Sequence, residues 1–166
     1  TISGLYFNSE DQVGYFFKEL KGTITNLGII DSYFCGGYGT SIICKNNQGT
    51  ISNVYTSGVI FTTSISSGGV VGDNYGKVEN CYSTTKLTIL KDLSYSYSNV
   101  VSYNGRGGSV ENCYYIGDYN IDAVAGVKNK TAEQFANGEV CYLLNGKNSD
   151  GELIWGQDLG TEKYPV

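Results

Sequence analysis

Paired carboxylates are the first place to look for chemistry in this chain, and the sequence offers Glu79 and Glu111. They occupy the same position in Lys77-Val78-Glu79-Asn80-Cys81-Tyr82 and Ser109-Val110-Glu111-Asn112-Cys113-Tyr114. On adjacent strands they would stand about 5 Å apart, the separation used by a retaining glycosidase. With Lys77 two residues from Glu79, they read more simply as a solvated ladder of charges. Asp118-x-Asn120-x-Asp122 opens like a calcium loop, but Ala123 stands where such a loop needs Gly and Asn129 where it needs Glu, so a polar turn is expected. The chain has no histidine, which removes Ser-His and Cys-His nucleophile pairs and the His-Glu-x-x-His zinc site. The five cysteines cannot all pair and lack C-x-x-C spacing, so they are read mostly as buried thiols. No metal or other cofactor is expected.

The richest supply of special side chains is aromatic, with 15 tyrosines among 166 residues. Aromatic faces stack on sugars and present amphipathic surface to proteins. Tyr82, Tyr114, Tyr115 and Tyr119 are candidate contacts, together with Tyr95 and Tyr97 in an apparent insertion near residues 91–97. The competing reading is that Tyr55, Tyr82 and Tyr114 only stack on one another and shield a turn. A net charge of −5, with Arg106 the single arginine, argues against nucleic acid or an anionic membrane as partner. No apolar run is long enough to span a bilayer, so direct membrane insertion is not expected.

These residues must be positioned by a repeat. Gly76-Lys77-Val78-Glu79-Asn80-Cys81-Tyr82 returns in degraded form at Gly22-Thr23-Ile24-Thr25-Asn26-Leu27, Gly49-Thr50-Ile51-Ser52-Asn53-Val54-Tyr55 and Gly108-Ser109-Val110-Glu111-Asn112-Cys113-Tyr114, with a weaker opening copy at Ile2-Ser3-Gly4-Leu5-Tyr6. From Ile2 through Ile24, Ile51, Val78 and Val110 the spacings are 22, 27, 27 and 32 by subtraction. Each period holds three short β segments punctuated by Gly and Asn, which describes one coil of a parallel β-helix. A propeller blade needs a longer period, and a leucine-rich repeat needs regular leucines. Stacked coils put Asn26, Asn53, Asn80 and Asn112 in one structural ladder of turn amides. Leu5, Leu27, Val54, Cys81 and Cys113 then form an interior column, and Tyr6, Gly28, Tyr55, Tyr82 and Tyr114 an exterior one. Asn80 is expected to be a buried ladder residue and Asn74 a surface one.

The repeats are assigned to residues 1–129 and a C-terminal cap of the same domain to residues 130–166. Thr131-Ala132-Glu133-Gln134 has capping-box form and Gly138 is a plausible stop, predicting a short helix. A second helical turn is expected over Glu139–Gly146, and Trp155, Leu159, Tyr164 and Val166 are expected to finish a cover over the open end of the stack.

Residues 68–82 follow Gly-Gly-aliphatic-aliphatic-Gly-x-Asn-x-Gly-x-Ile-x-Asn-Cys-Tyr almost position by position, and this pattern resembles the GLUG-motif repeats of large bacterial surface proteins. Residues 138–145, with Trp155, Gln157, Leu159 and Gly160, look like the segment that closes such arrays. The resemblance implies an all-β, right-handed parallel β-helix, here of about five coils, lying extracellularly on the cell surface or cell wall. GLUG repeats occur in haemagglutinin-like adhesins and in the N-terminal parts of M26-type immunoglobulin A1 peptidases. The repeat already under way at Thr1 favours a fragment of a longer protein over one whose leader was removed. The expected role is a non-catalytic adhesin-like module or spacer, with a host or matrix glycan or protein as partner alongside further domains of the same polypeptide. A polysaccharide-active enzyme and the non-catalytic flank of a surface peptidase are the alternatives.

Overall fold

Four asparagines turn the chain. Asn26, Asn53, Asn80 and Asn112 adopt φ of 55°, 54°, 50° and 51°, the left-handed region that a short amide side chain tolerates better than most residues. The corners recur after 27, 27 and 32 residues by subtraction, so they bound three complete turns. The computed structural model, which describes residues 1–9, 14–37, 39–63, 66–90, 97–117, 124–146 and 153–166, is a parallel β-solenoid of about three turns with two small helices. One sheet stacks Ile2–Ser3, Thr23–Gly36, Thr50–Thr62, Tyr82–Ser83, Cys113–Tyr115 and Val127–Asn129. A second stacks Tyr15–Leu20, Ser41–Asn47, Val71–Asn74 and Val101–Asn104, and all of these neighbours pair in parallel.

The expected five coils are therefore corrected to about three, and the reason lies at the two ends. Ile2 pairs with Ile29 and Tyr6 with Tyr33, so the opening copy stands 27 residues from its partners and not the 22 counted from Ile24. It stacks beneath the later half of the Thr23–Gly36 strand, and Tyr6 leaves the Tyr55 column for a ring stack on Tyr33 at 5.0 Å. At the other end Val127–Asn129 pairs with Cys113–Tyr115 after only 14 residues, which makes an incomplete coil.

Inside the tube, equivalent residues of successive coils sit on one another. Ile24, Ile51, Val78 and Val110 form one column and Leu27, Val54, Cys81 and Cys113 another. Cys44, Val71 and Val101 line the facing sheet. Burial of these small and medium apolar groups is the main stabilising term, at roughly 25 cal/mol per Å² removed from water. The close stacking also requires glycine at one bend. A Cβ built on Gly76 would lie 2.2 Å from the Gly49 carbonyl oxygen and one on Gly49 2.0 Å from that of Gly22, whereas one on Gly22 meets nothing within 4 Å.

A second asparagine ladder, unanticipated from the sequence, runs through the interior. Asn47 Nδ2 donates to Asn74 Oδ1 at 2.8 Å, and Asn74 Nδ2 donates to Asn104 Oδ1 at 2.8 Å. Asn74 also reaches the carbonyls of Gly76 and Ser109 and accepts from the Gly76 amide. Asn74 is fully buried, which corrects its assignment to the surface. The corner ladder is split into pairs: Asn53 Nδ2 donates to Asn26 Oδ1 at 3.0 Å and Asn112 Nδ2 to Asn80 Oδ1 at 2.8 Å, while Asn53 Oδ1 has no partner.

All five cysteines are free thiols. Cys81 and Cys113 donate to the carbonyls of Glu79 and Glu111 at 3.1 and 3.2 Å, two residues back along their own strands. Burial pushes the Cys44 thiol up to about 12 and raises that of Cys81, and it is the thiolate that reacts. Alkylation of native protein at pH 8, read by peptide mass spectrometry, is expected to leave Cys44, Cys81 and Cys113 unmodified while the half-buried Cys35 and Cys141 react. A Cys81–Cys113 bridge in denatured, alkylated protein would contradict the packing described.

Candidate functional site

The tyrosine column governs what lies outside the corner. Tyr55 and Tyr82 are stacked with ring centroids 5.4 Å apart and planes 11° apart, as parallel strands in register require. Such a stack is broad and apolar, with its hydroxyls at the outer rim. The segment after Lys130 covers it from the side.

Thr131 caps helix α1 (Ala132–Ala136) through the reciprocal capping box with Gln134 that the sequence announced. Asn137 is the C-cap, and Gly138, at φ 86°, makes the left-handed link into α2 (Glu139–Leu144). Lys130 Nζ holds the Glu139 carboxylate at 2.5 Å and keeps its pKa below the ordinary value. The buried residues of the two helices, Phe135, Val140 and Leu144, pack with Trp155 against Tyr82 and Tyr114. Asn145 fixes the returning chain: its Oδ1 accepts from the amides of Ile154 and Trp155 at 3.1 and 3.0 Å, and its Nδ2 donates to the Trp155 carbonyl at 2.9 Å. Trp155 meets Tyr82 at 5.5 Å and Tyr55 at 5.9 Å. Tyr82 Oη then donates to the Pro165 carbonyl at 2.6 Å.

The cap is thus a lateral strap along the tyrosine column, where a lid across the end of the stack was expected. Trp155 is its buried centre, but Leu159 and Val166 are 60% and 55% exposed, so they do not close it. This placement corrects the candidate contact residues. Tyr82, Tyr114, Tyr115 and Tyr97 are all buried, and burial raises the pKa of the Tyr82 phenol, so they form packing and not a free binding surface. Tyr95 and Tyr119, like Asp118, Asn120 and Asp122, lie outside the described residues. Exposed rings occur instead at Tyr6, Tyr75, Tyr103 and Tyr142.

Glu79 and Glu111 do stand opposite each other in register. Lys77 Nζ lies 2.8 Å from Glu79 Oε2, and this hydrogen bond, with the charges of Glu79 and Glu111, raises the lysine pKa. The arrangement is that of a surface charge ladder in which Lys77 offsets one of the two carboxylates. Among the described residues no three Cys, Asp or Glu side chains converge as a metal site would require.

One hollow of about 440 Å³ opens between strap and solenoid at the coil where glycine interrupts the tyrosine column, a size within the usual range for small-molecule sites. Asn26, Gly28, Asn53 and Tyr55 contribute its solenoid side, and Leu153, Ile154, Trp155 and Val166 its strap side, with Thr1 at the margin. Tyr55 tips into the space a side chain at Gly28 would need, since a Cβ there would lie 2.3 Å from Tyr55 Cζ. Two buried polar atoms of the lining residues have no partner: the acceptor Asn53 Oδ1 and the donor Trp155 Nε1. The lining carries amides, hydroxyls, rings and aliphatic chains, a chemistry of recognition by hydrogen bonds and apolar contact. The 27-residue spacing pointed to Asn26, Asn53 and Tyr55, but nothing local marks residues 153–155 as their partners across the hollow.

Comparison with family models, with curated proteins and with solved structures returned no match.

Proposed function

We propose that this chain is a non-catalytic cell-surface module, adhesin-like or acting as a spacer, in a larger secreted bacterial protein, and that its solenoid is right-handed and of the GLUG type. The observation that carries the reading is the use made of the repeated residues. In successive coils the corner Asn, the bend Gly, the inner Asn and the ring of the Tyr column are engaged in holding one coil on the next. The lateral hollow supports a binding role, because its amide and apolar lining suits hydrogen bonding and apolar contact with a glycan or a matrix protein. Weak binding by one module suffices on a surface where many copies act together.

The test is a glycan and matrix-protein array run beside a panel of polysaccharide substrates. Binding without release of reducing ends is the expected result. The in-register pair Glu79 and Glu111 gives the polysaccharide-active alternative its one foothold, and release that disappears in both Glu79→Gln and Glu111→Gln would establish it. Neither binding nor turnover would leave the spacer role.

A further inference from the structure

Resting on the binding-module reading, we infer that the outer edge of residues 23–27 is a docking site for a short extended segment of a partner protein, added in parallel as one further strand. Thr23–Gly36 pairs along one side with Thr50–Thr62. On its other side Ile2–Ser3 and Tyr6–Ser9 cover it only from Ile29 onward, so among the described residues nothing pairs with the outer side of residues 23–27. The Gly22 carbonyl accepts from the Thr50 amide at 3.0 Å, and the main-chain groups of a strand alternate between its two edges. Those of Thr23 and Thr25 therefore face outward, free to pair with an extended peptide.

The side chains at this edge select the strand. Gly49 and Gly76 are held to glycine by the carbonyl of the strand beneath, whereas Gly22, which is not at positive φ, has open space where a Cβ would go. Gly22 thus keeps clear the space that a carbonyl of an added strand would take. Ile24 and Leu27 are half-buried while Ile51 and Val54 above them are fully buried, so two aliphatic side chains from the added strand would complete these columns. Asn26 Oδ1 accepts from Asn53, and an Asn at the corner position of the segment would extend that ladder. The seat is also short. At Gly28 the layer steps outward onto Ile2–Ser3, and before Gly22 the strand Tyr15–Leu20 carries Lys18 and Glu19, charges of the kind that discourage edge pairing. Residues 23–27 carry none. One segment of about six residues fits between these stops at about 3.3 Å per residue, whereas the sheet edge of a second copy would have to run on past them.

The probe is the end-blocked hexapeptide Gly-Thr-Ile-Ser-Asn-Val, the sequence of residues 49–54, titrated into the full chain. The inference expects a saturable rise in the thermal midpoint, and deuterium exchange read by NMR that slows about tenfold or more at the Thr23 and Thr25 amides. The same peptide with Ser in place of its Ile and Val should bind about tenfold or more weakly. Gly22→Ala should abolish binding while leaving the melt of the free chain near that of the parent. Thr25→Pro, which removes one outward N–H at an edge position where proline is tolerated, should also abolish it, and Thr25→Ala should bind like the parent. Undiminished binding by Gly22→Ala, or of the serine-substituted peptide, overturns the seat. A free hexapeptide that is inert but slows the same two amides when fused ahead of Thr1 overturns a separate partner and gives the edge to the polypeptide's own continuation. Dimers in sedimentation that protect Thr23 and Thr25 without peptide overturn the segment in favour of a second copy. Binding on the array with a hexapeptide inert in both forms overturns the edge and leaves the module reading intact, and a silent array with the same inert peptide overturns both.

Discussion

Gly76→Ala is expected to destabilise the protein by about 4 kcal/mol or more, enough to leave little native structure in a domain of ordinary stability. The new methyl would fall 2.2 Å from the Gly49 carbonyl oxygen and 2.8 Å from backbone atoms of Gln48 and Gly49. These are main-chain atoms of the neighbouring coil and cannot rotate away. Relief requires the coils to separate, breaking hydrogen bonds from the Lys77 amide to Gly49 O and from the Tyr75 amide to Asn47 O, now 2.8 and 2.7 Å long. Gly22 heads the same column with open space where its Cβ would go, so Gly22→Ala should stay within about 1 kcal/mol of the parent. Urea titrations followed by circular dichroism check the pair, and coincident curves would refute the stacking of this column.

Asn74→Ala is expected to destabilise by about 3–5 kcal/mol, against about 1–2 kcal/mol for Asn80→Ala. The inner amide is fully buried and joins two coils through both of its polar ends. Its loss takes one of two acceptors from Asn47 Nδ2, the donor from Asn104 Oδ1 and the side-chain acceptor from the Gly76 amide. Asn80 is half-buried and in a split ladder, so the larger part of its loss is the left-handed backbone that alanine resists. Denaturant titration of both variants beside an exposed Thr25→Ala control would decide. A larger loss for Asn80 would return the ladder to the corner and overturn the inner one.

What the sequence disclosed follows from which signals are local. Corner asparagines announce themselves because Asn is among the few residues at ease with positive φ, and Thr131 with Gln134 is a cap readable within four residues. The inner ladder was equally periodic, Asn47 to Asn74 being 27 residues by subtraction, but an Asn beside Gly reads as turn punctuation until its depth is known. Ile2 was misplaced because Ile-x-x-Leu resembles a corner copy, while the period itself would have paired it with Ile29. The tyrosines were placed on the right side of the corner and given the wrong exposure. Their cover comes from residues as distant as Pro165, 83 positions beyond Tyr82, and no spacing rule reaches that far.

The lateral strap alters how the stack comes apart. A solenoid in which each coil touches only its neighbours can fray from an end, one coil at a time, with protection falling gradually toward the edge. Here α2 and Trp155 touch Tyr55, Tyr82 and Tyr114, residues on three successive coils. Releasing any one of these coils uncovers the apolar contacts of the other two. The three turns should therefore open as a single cooperative unit, so that amides of Ile51, Val78 and Val110 exchange with deuterium at one common rate set by global unfolding, and a graded series of rates across them would show that the strap does not couple the coils.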